Sequence, residues 1–289
     1  MINATKVSRN VLTVHLDVQG EKWEKWFMLR SDTHHDSSSN NRKLQKKHLD
    51  RARELNAEIL DFGDLFDAMQ GRYDKRKSYP DMRKEYLDKL VEGKDYLNII
   101  VDDAVDFYSK YADLYLLQGF GNHEESVSKN SDTNLIDLFV KGMQDRGGII
   151  QKGGYSGWVQ FFFTMNKTQR QSINLHYTHG YGGGGPVTRD VIQSNRQAVY
   201  LPDAHIAVAG HTHDNWVLPI SRHRINLRGV LYQDLQYHVR LPGYKMDYGD
   251  GYGGWHIERG GPPKPNGCVF LRFYRENNII KIHLTPEVE

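Results

Sequence analysis

The sequence predicts an α/β fold, and three observations predict it. Short apolar runs end in glycine or in small polar clusters, stretches with helical spacing lie between those runs, and the run, polar end and helix recur in that order. Repeated β-helix-β units argue for parallel strands whose C-terminal ends lie together. With 289 residues, 38% of them hydrophobic and 26% charged, the composition is that of an ordinary globular protein with ample chain for a buried core. A net charge of +2 with His neutral does not by itself imply nucleic acid or an anionic membrane as partner. Met1 to Asn10 lacks the apolar centre of a signal peptide, and no apolar run approaches spanning length. The expectation is a cytoplasmic protein with no membrane partner, organised as one domain over residues 1–289. Cys268 is the single cysteine, which excludes an internal disulfide and a cysteine-based metal cage. Any metal site must use His, Asp, Asn or Glu.

Taken in order, Val11 to Leu16 alternates and Trp23 to Leu29 is apolar-rich, so the two are expected to form a hairpin turned at Gln19-Gly20-Glu21. The second run leads into Ser31-Asp-Thr-His34. Asp32 and His34, two residues apart past a strand end, face the same side and can share a cation; alternatively Asp32 caps a turn. Leu44, His48, Ala52 and Leu55 then recur at helical spacing within residues 42–58. The opposite face carries Arg42, Lys43, Lys46, Lys47, Arg51 and Arg53, a face that is either solvated or drawn to phosphate. A second strand follows in Glu58 to Asp64 and ends at Gly63-Asp64. A helix is expected around Asp81 to Val91 and another along the stripe Tyr96, Ile99, Ile100, Ala104, Phe107 and Tyr111. The third strand, Leu114 to Leu117, ends in Gly119-Phe-Gly-Asn-His-Glu124. Asn122 offers a metal a neutral amide oxygen and His123 a proton donor, unless Gly-Asn is only a left-handed turn.

The chain continues with a helix at Asn134 to Arg146 and strands at Trp158 to Thr164 and Ile173 to Thr178. The latter ends at His179 and runs into Tyr181-Gly-Gly-Gly-Gly-Pro186. Four glycines, Gly183 and Gly184 among them, let backbone amides approach a phosphate, with Arg189 nearby to pair its charge; a flexible loop is the plainer alternative. Ile206 to Ala209 reads as a buried strand ending in Gly210-His-Thr-His213, with His211 and His213 on one side of the chain. Strands are expected at Trp216 to Ile220 and around Gly229 to Tyr232. A hairpin of Val269 to Tyr274 and Ile279 to Leu284, turned at Glu276-Asn-Asn278, closes the chain over 268–289. Between them residues 237–267 are dense in Gly, Tyr and Pro and are expected to form a loop: a lid, a partner surface, a substrate wall, or simple loop packing.

Five strand-end clusters thus occur in order: Asp32-x-His34, Gly63-Asp64, Gly121-Asn-His-Glu124, His179 and Gly210-His-x-His213. This order resembles the calcineurin-like metallophosphoesterase superfamily over roughly residues 25 to 215. The resemblance implies two stacked mixed β-sheets flanked by helices, with a dinuclear metal site at the strand C-terminal ends. It implies that Asp32, His34 and His213 hold one ion, that Asn122, His179 and His211 hold the other, and that Asp64 bridges them. A bridging water would lose a proton and attack phosphorus in line, with His123 as proton donor and Glu124 orienting its loop. Nitrogen and oxygen ligands without sulfur suit Mn first, and also Fe, Zn or Ni.

The second cluster continues Gly63-Asp-Leu-Phe-Asp67, which departs from the Gly-Asp-x-Val-Asp-Arg-Gly form of Ser/Thr protein phosphatases and looks more like nuclease subunits of DNA-repair exonucleases. The basic helix and the Arg72, Lys75, Arg76, Lys77, Arg83 and Lys84 segment would suit a polyanion. The expected activity is therefore a phosphodiesterase, with nucleic acid among its substrates. A phosphomonoesterase acting on a small phosphorylated metabolite is the alternative, and a non-catalytic scaffold of the same fold the third reading.

Overall fold

Alternation places the first strands on their faces. In a computed structural model that describes residues 3–68, 82–165, 168–183, 185, 187–246, 248, 255–258 and 260–289, β1 (Asn3–Ser8) and β2 (Val11–Val18) pair antiparallel. Leu12, Val14, Leu16 and Val18 of β2 point into the core. The next strand, β3 (Glu24–Arg30), does not return alongside β2, so the hairpin expected from Val11 to Leu16 and Trp23 to Leu29 is not formed. The reason lies in β3 itself: Phe27 and Leu29 pack into one core and Met28 into another, and a strand buried on both faces belongs inside a sheet covered on both sides.

The remaining elements are α1 (Arg42–Glu54), β4 (Glu58–Asp61), α2 (Lys84–Val91), α3 (Tyr96–Tyr108), β5 (Tyr115–Gln118), α4 (Asn122–Ser131), α5 (Leu135–Asp145), β6 (Gln151–Lys152), β7 (Ser156–Met165), β8 (Gln169–Thr178), α6 (Val191–Tyr200), β9 (Ile206–Ala209), β10 (Trp216–Ile225), β11 (Leu231–Arg240), α7 (Trp255–Glu258), β12 (Gly267–Glu276) and β13 (Ile279–Val288). They build two mixed sheets flanked by helices. One runs β1-β2-β7-β8-β9-β11-β10 and the other β13-β12-β3-β4-β5-β6. In the second, β3, β4, β5 and β6 are parallel; in the first, β8, β9 and β11 are. The inner faces of the two sheets enclose Phe27, Leu60, Phe161, Leu175, Val208 and Phe273. Helices α1, α3 and α5 cover the outer face of the six-stranded sheet over Met28, Ile59 and Tyr115.

Local chemistry explains the helix ends. Asn41 caps α1 by accepting from Leu44 N at 3.0 Å, Asp95 caps α3 from Leu97 N and Asn98 N, and Asn134 caps α5. The closing hairpin turns at Asn277 and Asn278, both with positive φ, as a tight two-residue turn demands. Two helices lack the apolar period that marks the others. Helix α4 buries only Glu124 and Val127, and α6 turns Ser194 and Gln197 inward while Ile192 and Val199 face solvent. Neither has an apolar stripe.

The stretch 237–267 is not all loop. Tyr237–Arg240 completes β11 in parallel register with Ile206–Ala209, its strand character hidden because His238 and Arg240 are buried polar residues. Leu241, Tyr244 and Gly243 then pack beneath the strand ends. Gly184, the Arg72 to Lys77 segment and part of residues 247–259 lie outside the described residues.

Candidate metal centre

Parallel strands deliver their loops to one edge. Asp32 and His34 follow β3, Asp64 follows β4, Asn122 and His123 follow β5, His179 follows β8, and His211 and His213 follow β9. The structure brings these residues together. His34 Nε2 stands 3.3 Å from His213 Nε2, which in turn lies 3.4 Å from Asp32 Oδ1. His179 Nε2 lies 3.0 Å from Asn122 Oδ1 and 3.1 Å from Asp64 Oδ2. Two triads, Asp32-His34-His213 and Asp64-His179-His211, each bring their ligand atoms within 4.8 Å of one another. A third group, His34-Asp64-His123, sets Asp64 beside His34 as well.

Backbone strain marks the same residues. Asp32, His34, Asp64, His211 and His213 all have positive φ, between 44° and 72°. Non-glycine residues reach this region at a cost that only their surroundings repay, and such residues gather at functional sites. Asp32 Oδ2 repays part of it by accepting from His211 N at 2.8 Å, and Asp64 Oδ1 by accepting from His123 N at 3.0 Å. Two glycines are required by this crowding. A Cβ on Gly121 would collide with Asp64 Oδ1, and one on Gly210 with Ser31 Oγ and Asp32 Oδ2.

The donor set fits divalent cations. Asp32 Oδ1 is fully buried and accepts no hydrogen bond among the described residues. Imidazole nitrogens about 2.0–2.1 Å from a common ion at a tetrahedral angle stand about 3.4 Å apart, and the His34 and His213 nitrogens already do. Burial opposes the charge on Asp32, but His213 and His179 outweigh it and hold its carboxyl below the usual range. Asp64 is treated alike: burial raises it, and His179 and His123 pull it well below. Burial would also keep His179 neutral, yet Asp64 and Asp32 push it up to about 10. A positive charge is what these carboxylates are built around.

An outer layer orients the imidazoles. His34 Nδ1 faces Asp67 Oδ1 at 3.0 Å, His179 Nδ1 donates to Phe62 O at 3.1 Å, and His123 Nδ1 donates to Asp67 O at 2.6 Å. These bonds leave Nε2 of each ring facing inward. Asp67 is held by Lys245 Nζ at 3.2 and 3.3 Å, and its own N–H donates to Asp36, which also accepts from Tyr96. Sequence reasoning missed this layer because Asp67, Lys245, Asp36 and Tyr96 show no common spacing; the Asp at the end of Gly63-Asp-Leu-Phe-Asp67 was its one visible trace.

Glu124 is spent on backbone N–H groups. It is fully buried and accepts from Gly121 N at 2.9 Å, Phe66 N at 3.0 Å and Asp64 N at 3.2 Å, tying the second and third loops together as a positioning residue. Gly183 and Arg189 are exposed, and among the described contacts none joins them to the ligand residues. Arg189 engages the chain through its backbone, donating to Gly185 O and accepting from Trp216 Nε1. Its neighbour Asp190 is the buried one, ion-paired with Arg240, whose second nitrogen donates to Gly210 O.

Five of the six basic residues on the face of α1, all but Lys43, are paired within the chain. Arg42 pairs with Asp103, Lys46 with Asp50, Lys47 with Glu289, Arg51 with Glu54 and Arg53 with Asp113. That face is not a surplus of charge for a polyanion.

No family model and no curated protein matches the chain. Among solved structures, it is similar to Vacuolar Protein Sorting 29 from Cryptosporidium parvum, with 10% identity, a TM-score of 0.38, and 92% of this chain and 100% of that one covered. It is similar to a Streptococcus pneumoniae TIGR4 protein described as a predicted phosphoesterase, at 10% identity and a TM-score of 0.34, covering 92% and 94%. Wild-type Vps29 from Entamoeba histolytica, solved with Zn²⁺, gives 10% identity and 0.34, covering 90% and 98%. Likeness at this level assigns neither family nor activity, and the chemistry of the site must carry the reading.

Proposed function

We propose that this chain is a calcineurin-like metallophosphoesterase that hydrolyses phosphate esters with two divalent ions, phosphodiesters in preference to monoesters. The observation that carries the reading is the gathering of seven nitrogen and oxygen donors at one edge of the two sheets, five of them on strained backbone, with Asp32 Oδ1 buried and 3.4 Å from His213 Nε2. Asp32, His34 and His213 would hold one ion, Asn122, His179 and His211 the other, and Asp64 would serve both. Mn is the first choice, with Fe, Zn or Ni compatible. When bound, such a pair neutralises the nonbridging oxygens and lowers the pKa of water.

The chain's own residues do the rest. His123 Nδ1–H donates to Asp67 O, so the ring has a proton on Nε2 for the leaving oxygen when it is the imidazolium. Burial would discharge His123, but the Asp64 and Asp67 carboxylates outweigh burial and raise its pKa. Glu124 fixes the two loops that present Asp64 and Asn122. Charge supports the diester preference. A monoester dianion calls for fixed cations beyond the metals, yet among the described residues Arg240 is engaged by Asp190, Lys245 by Asp67 and Lys264 by Asp214. The residue after Asp67 is Ala68, where the protein phosphatase form has arginine. A singly charged diester asks less.

The test compares kcat/KM for an aryl phosphodiester and the matching aryl phosphomonoester on Mn²⁺-reconstituted protein, with Asp64→Asn as the blank. A diester preference is expected, and nucleic acids and cyclic nucleotides then become the next substrates. A monoester preference sinks the diester reading and leaves the phosphoesterase. Absence of metal binding by calorimetry would leave only the scaffold.

A further inference from the structure

The hairpin of β10 and β11 outgrows its sheet. β9 pairs with β11 only at Tyr237–Arg240, whereas β10 and β11 stay paired out to Ile225 and Leu231. Six further residue pairs, on the order of 20 Å of two-stranded ribbon, therefore project beyond the neighbouring strand. A lone ribbon is marginal in water, and this one is braced at its base. Arg222 pairs with Asp234 at 2.8 Å and donates to the carbonyls of Pro202 and Ala204, and Gln236 donates to Leu201 O and Ala204 O. The arm is thus held out rather than folded back.

Its tip is ordered and apolar. Asn226 Oδ1 accepts from Arg228 N at 2.9 Å and Val230 N at 3.0 Å, while Asn226 N donates to Val230 O at 3.0 Å. This small turn displays Leu227 at 108% relative exposure, flanked by Ile225 at 65%, Leu231 at 62% and Val230 at 56%. Isolated exposed aliphatics are ordinary; four together on a braced protrusion are not. From Ile220 to Gln233 the chain carries Arg222, Arg224 and Arg228 and no acid. Arg228 is exposed beside Leu227, Arg224 reaches Pro202 O, and Asp234 is bound to Arg222.

We propose that this tip is a docking point for an anionic lipid surface, with the aliphatic side chains entering the headgroup boundary and Arg228 meeting lipid phosphates and carboxylates. Two observations choose this occupant. A convex tip of about seven residues cannot give a protein partner the roughly 800 Å² that a stable interface uses, whereas a fluid surface moulds to it. Contact between the tips of two copies would set arginine against arginine. Strand direction also separates the arm from the metal centre: β11 has Arg240 at the centre's edge and Leu231 at its far end, nine residues and on the order of 30 Å away. The arm is therefore placed to hold a surface, not to grip a substrate at the centre. A peripheral contact of this kind differs from a membrane span, and no described helix is long and apolar enough to be one.

Co-sedimentation with large unilamellar vesicles tests the proposal on the full chain. Binding is expected to phosphatidylcholine vesicles containing phosphatidylserine and to fall away with pure phosphatidylcholine and with rising salt. Leu227→Asp with Val230→Asp should weaken it at least about tenfold. Arg228→Ser should cost about fivefold on the phosphatidylserine vesicles alone. Both sets of substitutions are at the surface, and unchanged Mn²⁺ binding will show that the variants are folded. Failure of the native chain to sediment, or equal sedimentation of the Asp variant, overturns the proposal. So does a concentration-dependent dimer in solution that Leu227→Asp abolishes, which would give the tip to a second copy.

Discussion

Asp67 reaches the centre at two imidazoles: its side chain faces His34, its carbonyl receives His123, and Lys245 holds it in place. Asp67→Asn is expected to weaken one of two Mn²⁺ sites by about 10- to 100-fold in a calorimetric titration and to spare the other, since it faces His34 and not His211. His123→Ala should keep both sites and lose about 10²- to 10⁴-fold in kcat, more on poor leaving groups than on good ones. Full activity of that variant on poor leaving groups would remove His123 as proton donor. At this scale the sequence was legible wherever chemistry repeats as a short pattern, as in Asp32-x-His34 or His211-x-His213. It was not legible where a role depends on contact across 178 positions, as between Asp67 and Lys245.

Elements were readable in proportion to their apolar period. The stripe of α3 and the alternation of β2 announced themselves, because both bury one face. Helix α6 inverts that pattern, and the polar ends of β11 conceal four strand residues, so neither was visible without the neighbouring strand and loop. Helix α4 had one available sign, Gly121 followed three residues later by Glu124, the spacing of a capping pair. The same turn yields a prediction. Gly121→Ala forces Asp64 away from His123 N, and both thermal stability and metal content should drop, with a destabilisation of about 1–3 kcal/mol in denaturant titration. Retention of metal at unchanged stability would show that the loops yield more easily than their packing implies.

Three imidazoles away from the centre tie the whole molecule to pH. Burial pulls His48, His176 and His238 down from 6.5 to about 4, each keeping its ring neutral in the folded chain. The unfolded chain takes up their protons first as pH falls, so stability is full above about pH 6.5 and declines toward pH 4. The urea midpoint should fall across that window, and His48→Gln should flatten the decline. A midpoint constant from pH 7 to pH 4.5 would contradict it.

The two sheets contribute unlike chemistry to their common edge. Asp32, His34, Asp64 and Asn122 come from the six-stranded sheet, and His179, His211 and His213 from the seven-stranded one. One half is rich in oxygen and the other is all nitrogen, and each proposed ion draws from both. The ions would then act as rivets through a seam, and the seam's width is set far below them by Phe27, Phe161 and Phe273, whose rings meet edge-on at 4.8 to 5.8 Å. Trimming one of those rings changes no ligand, yet it lets the oxygen half and the nitrogen half slide, so the grip on metal becomes a gauge of how well the sandwich is filled.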